Sequence, residues 1–223
     1  MASERRLGRH VHRVVHVADR EATSFRLMAR LSHAGLGFVL RSSTQRLVEL
    51  ADLADGTQVR IERCLEQSAG QLLREVELSA RKARSPVSAK TFPSRDARMA
   101  ELNVRAARVV LRRPSTAKES LPAEVVVNLV EVFEPKPPAN EEPIRWLLLT
   151  SESIDSFEDV ARVVDAYRRR WVIEEYFKAL KTGCAYEARQ LESAHALLNV
   201  MALLIPVAWR LLLLRGVAHA TPT

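Results

Sequence analysis

The chain has 223 residues, the length of one ordinary domain or of one domain carrying an insertion, and its 47% hydrophobic fraction is enough for a real core. A balance of 34 Lys and Arg against 27 Asp and Glu gives a net charge of +7, which favours a polyanionic partner because cations gain affinity by displacing the counterions around phosphates. The two cysteines, Cys64 and Cys184, are far apart and form no metal or redox motif, so reduced thiols in a cytoplasmic protein are expected.

The opening "MASERRLGRHVHRVV" is basic and has no apolar signal-peptide core. "VHRVVHVAD", residues 11–19, is a β-branched run ending on Asp19 and predicts a strand. In "REATSFRLMARLSHAG", Phe25, Leu27, Met28 and Leu31 recur at helical spacing, with Gly35 as a stop. "GFVLRSS" then reads as a short strand. This β-α-β opening places Asp19 at the carboxyl end of its strand, where α/β sheets hold ligands. Aspartate also caps helices well, and from this stretch alone both readings stand.

The middle third alternates apolar and polar residues in "QLLREVELSARKAR", "ELNVRAARVVLRR" and "AEVVVNLVEVF", a half-buried strand pattern. Pro-, Ser- and Arg-rich connections such as "KARSPVSAKTFPSRDAR" separate these runs. After "EPKPPANEEP" comes "IRWLLLT", a short buried strand. From Ser153 one long helix is predicted as far as Gly183, and a last one from about Glu192 to Arg215. The apolar run "ALLNVMALLIPVAWRLLLLRG" is interrupted by Asn199, Pro206, Arg210 and Arg215. A buried, Pro-kinked helix is therefore expected instead of a membrane span, and no membrane partner.

At roughly 100° per residue, Tyr167, Arg170, Glu174, Lys178 and Lys181 fall within an arc of about 80° on the long helix. That stripe continues the side carrying Val160, Val163, Val164 and Trp171, which a solvated face would avoid. Pairing at i,i+4, Arg170 with Glu174 and Glu174 with Lys178, explains the same charges without function. Phosphoryl transfer also suits the stripe: a carboxylate helps to hold a divalent metal while Arg and Lys grip phosphates. Asp19 is the natural second ligand.

The pattern Tyr167, Arg170, Glu174, Lys181 (Y-x2-R-x3-E-x6-K) resembles the signature of the insertion-sequence-four family of bacterial DDE transposases. "VADREA", residues 17–22, is similar to the family's stretch around its second catalytic aspartate. "IRWLLLTSE" resembles its strand before the final catalytic helix, and "FVLRSS" the strand after the Asp-Arg-Glu helix. The resemblance runs in order from about residue 10 to 215. It implies an α/β, RNase H-like catalytic core, incomplete in its first strands. Residues 1–45 and 144–215 would form that core, residues 46–143 a β-rich insertion, and 216–223 a tail.

By the resemblance Asp19 and Glu174 would be catalytic and would bind two Mg²⁺ ions for cleavage and strand transfer at transposon ends. Tyr167, Arg170, Lys178 and Lys181 would contact phosphates of that double-stranded DNA, and Arg41 is a further contact. Trp146 would stack on a flipped base. The family uses three carboxylates, and no aspartate precedes Asp19 in this sequence; Glu4 is the only acid there. The chain therefore reads as a catalytic-domain fragment, inactive alone and left with open strand edges. Its partners would be transposon ends and a second copy or a full-length transposase. One alternative is a non-catalytic DNA-binding or inhibitory module using the same basic row. Another is a nuclease drawing its third carboxylate from Asp165 or Glu175.

Overall fold

The computed structural model describes residues 14–220 except 44, 53–55, 79, 81–93, 95, 118–119, 140 and 187–192. Glu4 and most of the connection "KARSPVSAKTFPSRDAR" lie outside the described residues. The chain divides into two compact units, residues 1–167 and 168–223.

The first unit is a mixed α/β structure. Strands β1 (Val15–Ala18) and β2 (Gly37–Arg41) pair in parallel and are joined by helix α1 (Phe25–His33), the β-α-β arrangement that the opening periodicity predicts. The Ser24 hydroxyl accepts the Leu27 amide at 3.1 Å and so caps α1. Gly35, at φ 65°, takes the left-handed conformation that ends it.

Strands β3 (Leu47–Leu50), β4 (Val59–Arg60), β5 (Gln71–Leu78), β6 (Arg98–Arg112), β7 (Glu124–Phe133) and β8 (Arg145–Thr150) follow. The sheet order is β1-β2-β8-β7-β6-β3-β4, with β5 also paired to β6. Strand β8 is antiparallel to both β2 and β7, so it joins Leu40 to Leu149 on one side and Leu129 to Leu149 on the other. The β-rich middle of the chain is thus hydrogen-bonded into the sheet that contains β1 and β2.

Period-two alternation divides this unit's core between the two faces of the sheet. Phe38, Leu40, Leu129, Leu147 and Leu149 pack with Phe25, Met28, Ala29 and Leu31 of α1. Val39, Val130, Val132 and Leu148 point the other way, onto Val160, Val163, Val164 and Tyr167 of helix α2 (Phe157–Arg168). Burial on both faces explains the unbroken "WLLL" of β8.

Gly70 sits where a β-carbon would come within 2.5 Å of the Phe133 ring. That ring also carries the Arg105 guanidinium 4.7 Å from its centroid. Gly70→Ala is therefore expected to displace Phe133 and to destabilise the unit by about 1–3 kcal/mol. The measurement is the urea midpoint at constant slope, and an unchanged midpoint would show that the ring moves freely.

The second unit contains helix α3 (Trp171–Lys178), a π turn at Ala179–Gly183 and helix α4 (Ala194–Ala220). The single helix predicted from Ser153 to Gly183 is corrected here: it starts at Phe157, tightens at Arg169–Arg170 and widens at Ala179. The amides of Val172 and Ile173 bond three residues back, to Arg169 and Arg170, each at 3.1 Å. The buried stripe of α2 ends at Tyr167 and α3 buries no side chain, so packing no longer enforces a regular ladder.

Helix α4 is also corrected, because it is not a buried helix. Leu198, Leu203 and Leu214 are 65%, 70% and 66% exposed, and Ala208 alone among its described side chains is buried. Residues Ala194–Gly216 are long and apolar enough to cross a membrane by length and composition, a test that core helices also pass. The run is apolar on every side, so its sequence selects no face for burial.

Candidate functional site

The carboxyl ends of β1 and β2, the start of β8 and the end of α2 meet at one end of the first unit. Register fixes this: Ala18 lies opposite Leu40, Arg41 opposite Leu148, and Trp146 opposite Val132. Val15, Val17 and Val39 belong to the face covered by α2. Alternation carries Asp19 and Arg41 onto that same face, where Trp146 and Tyr167 also lie. Four of the candidate residues thus share one end and one side of the sheet.

Asp19 ends β1 in extended backbone, and its Oδ1 accepts the Arg20 amide at 2.8 Å. The capping role that the sequence left open is realised, on a short 3-10 turn of Arg20–Ala22. The Thr23 hydroxyl closes that turn by donating to the Arg20 carbonyl at 2.8 Å. From the other side the half-buried Arg46 donates through Nη2 to the Thr23 carbonyl. Burial lowers the Arg46 guanidinium from its ordinary pKa. Sequence reasoning missed Arg46, since an arginine in "SSTQR" carries no periodic or motif signal.

Trp146 is half-buried and packs against Tyr167, with ring centroids 5.7 Å apart and planes inclined at 58°. Tyr167 is only 2% exposed. Helix α2, which delivers it, starts in a capping box: the Asp159 amide donates to Ser156 Oγ at 3.1 Å, and the Ser156 amide donates to Asp159 Oδ2 at 3.1 Å. Hydrogen bonds from Ser156 first, then Ser153 and the Arg162 charge, hold the Asp159 carboxyl below the usual carboxylate range. A lowered pKa means that this cap is complete above the ordinary aspartate range and is lost as pH falls through the lowered value. In an NMR titration the Asp159 midpoint is expected to rise in Ser156→Ala; an unmoved midpoint would remove the cap from this account.

Arg170 and Glu174 form the i,i+4 ion pair that their spacing allows, at 2.8 Å, and the Arg170 guanidinium also lies 5.1 Å from the Trp171 ring centroid. Lys178 ends α3, whereas Lys181 lies in the π turn, off the regular 100° progression. Asp165 pairs with Arg74 of β5 at 2.9 Å.

The family model described as Transposase DDE domain matches residues 4–207, and the chain belongs to that family. It is a DDE transposase domain, and its function is in DNA transposition.

DDE transposase domains typically use divalent metal ions. Carboxylates are suitable donors for a hard cation such as Mg²⁺. Asp19 caps a turn, and Glu174 is paired with Arg170. Among the described residues no group of three or more His, Cys, Asp or Glu gathers around a common point.

Proposed function

We propose that this DDE transposase domain is an RNase H-like member of the insertion-sequence-four family, similar to the Tn-five transposase, which grips transposon-end DNA and does not cut it unaided. Arg41, Arg170, Lys178 and Lys181 take phosphates, and Trp146 receives an extruded base. Residues 1–45 and 144–215 form the core and residues 46–143 its β-rich insertion. The observation that carries this reading is the convergence of Asp19, Arg41 and Trp146, over Tyr167, on one face at one end of the sheet.

Asp19 and Glu174 are the metal-directed carboxylates of this reading. Two-metal phosphodiester cleavage requires a fuller set of ligands than these two. The remainder comes from a second copy or a full-length transposase in the same cytoplasm. A related reading, an inhibitory module that occupies transposon ends, is favoured by the local engagement of both carboxylates.

The experiment is fluorescence anisotropy with a labelled duplex of about 30 base pairs as salt is raised. Binding that weakens steeply with salt is expected. Absence of binding at low salt would overturn the proposal.

A further inference from the structure

Arg46 is held half-buried at a cost that packing alone does not explain. Its backbone carbonyl accepts the amide of the fully buried Ile61 at 2.8 Å, which fixes its main chain where the β-rich middle begins. From there its Nη2 donates to the carbonyl of Thr23, a buried residue 23 positions earlier in the chain. Among the described residues its Nε is enclosed without an acceptor. A guanidinium with an unmatched donor costs stability, and an apolar side chain of similar volume commonly packs in such a place at no loss.

The Thr23 carbonyl belongs to the turn that carries Asp19. The Thr23 hydroxyl donates to the Arg20 carbonyl at 2.8 Å, and the Arg20 amide donates to Asp19 Oδ1 at 2.8 Å. Both of these bonds are local. Arg46 instead reaches the turn from the start of β3, which has β8, β7 and β6 between it and β2 in the sheet order.

We infer that Arg46 is a positioning residue for Asp19: it holds the Arg20–Ala22 turn from the side of the β-rich middle and so fixes where the Asp19 carboxylate is presented. The inference rests on the reading that Asp19 is a metal-directed carboxylate. A ligand group held in place before the cation arrives loses less freedom on binding. Groups that support a ligand without touching the metal commonly set its affinity. The buried guanidinium thus trades stability for a fixed carboxylate.

The test is a Mn²⁺ titration of the isotope-labelled chain, read as paramagnetic broadening of the Arg20 and Thr23 amide signals, beside the urea midpoint. Wild type is expected to lose these signals as Mn²⁺ rises, and Asp19→Asn to keep them. Arg46→Met removes the donor while filling the space. It is expected to need about tenfold more Mn²⁺ for half broadening, with the urea midpoint unchanged or raised. Loss of a merely structural bond would lower the midpoint and leave the Mn²⁺ requirement in place. Arg46→Lys keeps a single donor for the Thr23 carbonyl and is expected to stay within about twofold of wild type.

An unchanged Mn²⁺ requirement in Arg46→Met would overturn the inference, as would an Arg46→Lys variant no better than Arg46→Met. If the methionine variant does not fold, Arg46→Gln, whose amide falls short of the Thr23 carbonyl, is judged by the same Mn²⁺ requirement. Equal broadening in wild type and Asp19→Asn, or broadening in neither, would instead remove the metal-directed role of Asp19, and this inference with it.

Discussion

Glu131→Ala is expected to lower the stability of the first unit by about 3–5 kcal/mol, read from chemical denaturation. Glu131 is fully buried, on the face of β7 that also carries Val125, Val127 and Leu129. Its two oxygens accept from Nε of Arg105 at 2.7 Å and from Nε of Arg145 at 2.6 Å. The same guanidinium groups reach backbone carbonyls outside the sheet: Arg105 donates to Ser68 at 3.2 Å, and Arg145 to Glu62. One carboxylate therefore pins the segment between β4 and β5 to three strands. Its removal leaves two guanidinium groups facing each other with little water between them, and breaking a buried pair costs far more than its net worth.

Cys64 supplies an independent readout of the same charge. Burial, and secondarily the Glu131 charge, push its thiol up to about 11. Glu131→Gln, which preserves shape, is expected to lower that pKa and to speed alkylation of Cys64 near pH 9 while circular dichroism remains native. A stability loss under about 1 kcal/mol in Glu131→Ala would show that the arginines find other partners.

The second large effect concerns DNA. Replacing Arg41, Arg170, Lys178 and Lys181 together by glutamine is expected to abolish measurable duplex binding. For wild type, four phosphate contacts imply a slope of about −3.6 in log affinity against log salt concentration. Each single substitution is expected to reduce that slope by about 0.9. Arg170 has a further role, because its ion pair with Glu174 must loosen for either group to meet a ligand. A quadruple variant that binds as wild type does would dissociate this row from the interface.

Much of the first unit was legible because its strands keep simple periods. The β-α-β opening, the alternation of β6 and β7, and the short buried β8 all followed from apolar spacing, and each forms at the stretch expected, although β6 starts earlier than predicted, at Arg98. Glu131 was visible only as an anomaly, a glutamate continuing the apolar row Val125, Val127, Leu129. Its partners stand on other strands, at Arg105 and Arg145, and no local pattern links them. Arg46 was not legible at all, because its role depends on the distant Thr23 carbonyl.

The candidate site was legible as residue types in order, less so as geometry. The helical arc from Tyr167 to Lys181 presumed constant pitch, whereas the backbone tightens after the last buried residue and widens at Ala179. Tyr167 belongs to the apolar stripe before that change, and Arg170 and Glu174 come after it. Helix α4 misled because strong hydropathy implies burial somewhere without saying against what, and its mostly exposed side chains show that its own unit does not supply the cover.

The central claim is that this chain binds transposon-type DNA without cutting it, and the most direct measurement is a nicking assay on a supercoiled plasmid with Mg²⁺ or Mn²⁺. It is run at a salt concentration where anisotropy shows the DNA to be bound. Bound, intact plasmid is the expected result, unchanged in Asp19→Asn and Glu174→Gln. Metal-dependent nicking by wild type that either substitution removes would contradict the claim, since Asp19 and Glu174 would then suffice with the carboxylates this chain already carries.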